Sequence, residues 1–362
     1  MTGRKRADRL TMRERLLAVL QDRPHDRVPF VQYEDLAAPT REIWSVVGRE
    51  NLGVLRWSAV HRVEHPHCRF ESQQIERDGL RGVRNTLHTP AGDLSEEKVY
   101  QPTLGTAATR KHYVREPKDY GALAAYLRDI VVREDIARFL RDERELGGDG
   151  LPHVSLDRTP FQQLWTQWVS LEDLCLHLAD CAERVQECTD LMARNLRNEI
   201  EIVRRSPVPY VVFPDNITAP VIGERRFRQY CVPFYDELAG MLAERNVPVF
   251  VHMDGHLRPL WKAIADSGVR GIDSLSPPPD NDTSVARALS MWPEMRLFVN
   301  FPSSVHLTEP QDVYGRTCQL LAEGGSSGRL EIQVSENVPP GVWRQSFPAI
   351  IRAIEDFGRP AG

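Results

Sequence analysis

The run Val247-Pro-Val-Phe-Val251 is apolar on both faces and passes directly into His252-Met-Asp254-Gly255-His256. Such a run is expected of a strand covered on both sides in a parallel sheet. The same order, an apolar run and then a polar end, recurs along the chain. Asp26 to Glu34, Pro152 to Arg158, Pro209 to Asn216, Gly271 to Ser276, Arg296 to Asn300 and Leu330 to Asn337 all read as strands of this kind. Between them, the 3.6-residue period predicts helices over 11–22, 39–57, 117–130, 133–146, 171–205, 224–246 and 257–267. Thr11 and Glu14 stand in capping-box spacing at the start of the first. From about 62 to 103 the pattern changes to short alternating segments with turns, the mark of antiparallel strands. Seven strands separated by helices predict an α/β fold: a single (β/α)8 TIM barrel spanning 1–362, with one strand unlocated and a small antiparallel insertion after the first strand.

Composition narrows the setting. A chain of 362 residues buries a core large enough to need no disulfide staples. Its six cysteines form no Cys-x-x-Cys pair, and Cys175, Cys181 and Cys188 fall in one helical pattern as small buried thiols. The start, Met1-Thr-Gly-Arg-Lys-Arg6, is basic with no apolar stretch behind it and reads as a frayed terminus, not a secretion signal. No apolar run approaches membrane-spanning length. A cytoplasmic protein is expected. A net charge of −5 with mixed signs argues against nucleic acid and leaves a small molecule, with a second copy as a possible partner.

The polar strand ends carry the candidate chemistry. Tyr33 and Glu34, Asp157 and Arg158, Asp215 and Asn216, His252 and Asp254, Asp273, Asn300 and Glu336 all fall at predicted C-terminal ends. That is the face on which barrel active sites are built. Alternate strand residues point the same way, so His252 and Asp254 can converge on one ion, with Gly255 allowing a sharp turn behind them. The competing reading makes His252 a strand-end residue bonded in the core, and Asp215, Asp273 and Asn300 helix caps. His256 opens the next helix as a further ligand or a proton carrier. His61, His65 and His67 read as a solvated loop rather than a second metal site, and Trp165 and Trp168, near Gln162, as core or pocket wall.

Several segments together resemble the uroporphyrinogen decarboxylase superfamily. They are Met12-Arg-Glu-Arg-Leu-Leu with Asp26-Arg-Val-Pro29, the Thr89-Pro-Ala-Gly92 hairpin, Pro214-Asp215-Asn216, and Tyr230-Cys-Val-Pro233. The resemblance implies a TIM barrel and points to a branch of zinc-dependent methyltransferases that move methyl groups between corrinoid proteins and thiols. That branch has a His-x-Cys-Gly motif and a later cysteine before a Pro-Pro-Gly-like turn. Here the two places read His252-Met-Asp254-Gly255 and Ser335-Glu336-Asn337-Val-Pro339-Pro340-Gly341, so a carboxylate stands for each thiolate.

The resemblance therefore implies a divalent metal held by His252, Asp254 and Glu336, zinc first, with manganese or ferrous iron also suited to the set. Methyl transfer or demethylation of a small substrate, with a corrinoid protein as partner, is the implied function. The alternatives are a metal-dependent lyase or hydrolase on a small carboxylated substrate, and a binding or scaffold role. Asp215, His256, Asp157, Arg158 and Tyr33 are the further catalytic candidates, Asp215 either as general base or as a bonded neighbour of His252. Porphyrinogen decarboxylation itself is disfavoured. The loop after the first strand, Tyr33-Glu34-Asp35-Leu-Ala-Ala-Pro39-Thr40, lacks the arginines that the decarboxylase branch uses to bind its acidic substrate.

Overall fold

The computed structural model describes residues 10–102 and 106–358; the basic start, Met1 to Arg6, and the expected end of the insertion at 103 lie outside them. Eight strands form one parallel sheet: β1 (Phe30–Tyr33), β2 (Gly53–Ser58), β3 (Gly150–Val154), β4 (Val211–Phe213), β5 (Val249–His252), β6 (Gly271–Leu275), β7 (Arg296–Asn300) and β8 (Leu330–Val334). Each neighbours the next in chain order, and β8 returns to β1. The last seam, between β3 and β4, is closed by a parallel bridge from Ser155 to Val212. Helices cover the outside, giving the expected (β/α)8 barrel.

The strand missing from the sequence pattern is β2. It overlaps 39–57, which reads as one helix but divides into a helix over Thr40–Val47 and then the strand, which ends at Ser58. Gly48, at φ 89°, ends the helix in a conformation that glycine takes without a Cβ clash. On β2, Leu55 faces the interior while Arg56 turns outward to Glu34 and Glu145, at 2.7 and 2.8 Å. That half-buried, ion-paired arginine interrupts the apolar run that marked the other strands. The antiparallel insertion accordingly leaves the barrel after β2. Arg69–Arg77, Leu80–Thr89, Gly92–Gln101 and Thr106–Lys111 make a four-stranded sheet, and His61–Glu64 pairs with Val131–Glu134. Thr89 and Gly92 close the hairpin read from the sequence.

Other boundaries shift for local reasons. The 171–205 helix breaks at Cys181 into Leu171–Asp180 and Ala182–Arg205, and 224–246 becomes Ala219–Tyr230 and Val232–Leu242. All six cysteines are free; Cys188 is buried, but Cys175 is exposed, against the expectation for that row.

The barrel interior is filled in layers. Helix α1 (Met12–Leu20), with the predicted Thr11–Glu14 capping box, turns Met12, Leu16, Val19 and Leu20 against Val31, Leu55, Leu151, Phe250 and Phe298 and closes the N-terminal end. Gly271 has no Cβ because the ring of Phe250 occupies the space, 2.3 Å from where one would lie. Above this apolar plug the inward positions become polar. No helix among the described residues is long and apolar enough to cross a membrane.

Candidate metal centre

The polar layer is built on β5, β6 and β8. His252, the last residue of β5, is 7% exposed. Its Nδ1 donates to Asp273 Oδ2 at 2.7 Å, with the Tyr33 hydroxyl 3.4 Å away. A donor at Nδ1 fixes the ring and leaves Nε2 pointing the other way, where Asp254 Oδ2 stands at 3.7 Å. Asp254 and Glu336 complete the cluster: one ligand-type atom from each of the three residues lies within 4.8 Å of the others. Asp254 and Glu336 are half-buried and open to the mouth.

Asp273 is the hub beneath. It is fully buried and accepts from Tyr33 (2.6 Å), His252 and Gln333 (3.0 Å), with His153 Nε2 at 3.6 Å. A bulge makes this possible. The pairing of β6 with β7 shifts between Ile272 and Leu275, and Ser274 takes φ +62°. Neighbouring residues Asp273 and Ser274 thereby both reach the interior, where an unbroken strand would send them to opposite faces. The Ser274 hydroxyl donates to Ser335, which donates to Asn300. Asn300 thus fastens β8 rather than capping a helix.

The electrostatics fit a cation. Burial alone would strip the proton from His252, yet Asp254 and Asp273 on its two sides hold its pKa up to about 10. Burial works against charge on Asp273 too, but His153 and His252 keep it ionised far below the ordinary carboxylate range. Burial and the like charge of Asp254 raise Glu336. The proton on Nε2 does the neutralising that a divalent ion would do. Two carboxylates, one oriented imidazole and a buried carboxylate behind it are the residue types that carboxylate–histidine metal sites use.

The remaining candidates are dispersed. Tyr33 belongs to the network. Asp215 is fully buried, with its carboxylate held by Thr159 N (2.8 Å), Thr159 Oγ1 (2.9 Å) and the Tyr235 hydroxyl; it makes no hydrogen bond to His252, whose partner is Asp273. His256 stands half-exposed at the rim, 3.8 Å from Asp282. Asp157 lies beside buried Glu199, which accepts from its backbone N–H at 2.8 Å; desolvation raises both carboxyls. Arg158 reaches Asn216 Oδ1 at 3.0 Å. Glu34 faces outward to Arg56. The three histidines of the insertion diverge: His61 is buried near Glu199, His65 bonds Cys68 O and His67 bonds Asp129. Trp168 packs on Tyr113 and Tyr126 as core, and Trp165 donates to Gln162, which in turn holds Asp215 O. Gly255 serves close approach, not a left-handed turn, because a Cβ there would meet Thr218 at 2.2 Å.

His153, Gln333, Ser274 and Ser335 were not singled out by the sequence pattern. The signal existed: Glu331, Gln333 and Ser335 alternate as polar residues with apolar Leu330, Ile332 and Val334 in a strand that the barrel covers on both faces. Such a strand must have a polar interior on one side.

A parallel barrel whose C-terminal mouth gathers His252, Asp254 and Glu336 defines the class: a (β/α)8 protein with a candidate metal centre at its strand ends. The uroporphyrinogen decarboxylase (URO-D) family model matches residues 162–355, more than half the chain, and the chain belongs to that family. No curated protein matches it. Among solved structures, a methyltransferase from Methanosarcina mazei aligns over 97% of this chain and 100% of its own, at 14% identity and a TM-score of 0.61. A B12-independent methionine synthase from Shewanella sp. aligns over 82% of this chain and 76% of its own, at 12% identity and a TM-score of 0.42. At 14% identity the first likeness speaks for the fold alone.

Proposed function

We propose that this chain is a metal-dependent enzyme that transfers or removes a methyl group on a small substrate, with a corrinoid protein as the methyl carrier. The observation that supports the reading most is the convergence of His252, Asp254 and Glu336 within 4.8 Å on the catalytic face of the barrel. These three would hold the ion, zinc by preference, through His252 Nε2 and one oxygen from each acid. When bound, a divalent ion supplies Lewis acidity toward the substrate atom that bears or loses the methyl group. Asp273 holds the His252 ring and its tautomer, while Tyr33, Gln333 and His153 hold Asp273. Methyl transfer is the activity named for the Methanosarcina mazei protein, and decarboxylation the one named for the family; neither transfers unaltered.

A specific feature favours a second reading. Acids stand where the methyltransferase branch has thiolates, and carboxylates leave a metal a stronger Lewis acid than thiolates do. That suits a lyase or hydrolase on a small carboxylated substrate as well as demethylation. Incubating the metal-loaded protein with methylcobalamin and small acceptors separates the two. Methyl transfer predicts loss of the methylcobalamin absorbance in proportion to protein and its abolition in His252→Ala. An unchanged spectrum with every acceptor, together with metal-dependent consumption of a small acid, would give the reaction to the second class.

A further inference from the structure

Arg158 leaves the end of β3 at the barrel mouth and is half-buried, yet it forms no ion pair among the described residues. Its Nη2 donates to Asn216 Oδ1 at 3.0 Å, and its buried Nε has no partner. A guanidinium carries five donors and a fixed charge, and leaving the buried Nε–H without an acceptor is costly. Asp215, Asp157 and Asp254 all act on it through their charge, but the hydrogen bonds of their carboxylates go to other groups or, for Asp157, to the Arg158 backbone N–H rather than to the guanidinium. Asp215 is held by Thr159 and Tyr235, Asp254 faces His252, and Asp157 accepts from Gln163. Three carboxylates act on Arg158 at a distance, but among the described residues none sits within ion-pair reach of its guanidinium, so a carboxylate docked on the fork is what the site lacks.

Trp57 supplies an independent observation. Leu55 and Trp57 alternate on the inward side of β2; Leu55 is fully buried, but Trp57 is 42% exposed. Its ring nevertheless lies 5.1 Å from Tyr33 and 4.6 Å from His153, inside the barrel wall. An inward residue at the top of a strand with that exposure opens into the mouth. An indole is a large apolar surface to leave in water. Trp57 is in register with His153 of β3, the strand from whose end Arg158 departs, so both features share one side of the mouth.

We propose that the substrate is a small organic acid with an apolar body, its carboxylate held by Arg158 and its body laid against Trp57, which directs its reacting group toward His252, Asp254 and Glu336. The planar fork of a guanidinium matches a carboxylate, and the bonded Asn216 keeps the fork in place. The proposal rests on reading the mouth as the active site, but the binding it describes needs no metal.

The test is therefore made on chelator-treated, metal-free protein, titrated with benzoate by calorimetry and by saturation-transfer NMR. One saturable site is expected, with acetate roughly tenfold or more weaker for want of an apolar body. Arg158→Gln should lose about tenfold or more in benzoate affinity and Arg158→Lys less, because one charge remains without the fork. Trp57→Leu should weaken benzoate more than acetate. Absence of saturable binding, equal binding by Arg158→Gln with its circular dichroism unchanged, or equal binding of benzyl alcohol would overturn the proposal. Inorganic phosphate binding more tightly than benzoate would overturn the carboxylate assignment. Benzoate binding retained in a protein that takes up no metal would sink the metal reading and leave this one standing.

Discussion

In the proposed centre, His252 depends on a residue 21 positions away. Its Nδ1 hydrogen bond to Asp273 fixes both tautomer and ring plane, and three further side chains fix Asp273. Outer partners of this type are typically worth 10–100-fold in metal affinity. Asp273→Asn should therefore weaken metal binding by about that factor while leaving Asp254 and Glu336 in place. Competition with a chromogenic chelator reads the change; unaltered affinity would show that the ring needs no such support. At this scale the sequence was legible for the three residues that cluster and less so for those that support them. His252, Asp254 and Glu336 follow from a motif and its substitutions, but Asp273 carries the same strand-end signature as Asp215 and Asn300. Only the bulge at Ser274, which depends on the facing strand, aims Asp273 at His252.

At the scale of elements, seven of the eight strands announce themselves as apolar runs with polar ends. β2 does not, because Arg56 on its outer face is tied to Glu34 and Glu145. Tertiary ion pairs of that kind leave no local period, so the insertion was expected one strand early. The packing inside the wall is less forgiving than its sequence suggests. Gly271 begins β6 because Phe250 of β5 fills the space a side chain would need. Gly271→Ala should cost about 1–3 kcal/mol in urea unfolding, from overpacking. Adding Phe250→Leu should recover part of that loss, as expected for residues in contact. Full stability in the single variant would mean that the plug yields more easily than its geometry implies.

For the molecule as a whole, the interior changes from apolar plug to polar mouth, and Glu331 sits on that boundary. It is fully buried and neither carboxylate oxygen has a partner. Burial, followed by the nearby charge of Asp273, raises its pKa well above 4.5. The folded state thus binds the proton more tightly than the unfolded chain. Its contribution is fully present below pH 4.5 and is lost as pH rises toward the folded-state pKa. Glu331→Met should stabilise the protein by about 1–3 kcal/mol near pH 7.5, with the gain shrinking toward pH 4.5. Urea unfolding at the two pH values checks this, and a destabilised Met variant would contradict it. The central claim is that the mouth holds one divalent ion on His252, Asp254 and Glu336. Elemental analysis of protein purified without chelator tests it most directly. Close to one equivalent is expected in the parent chain and little in Asp254→Ala or Glu336→Ala, each shown folded by circular dichroism; full metal content in both variants would contradict the account.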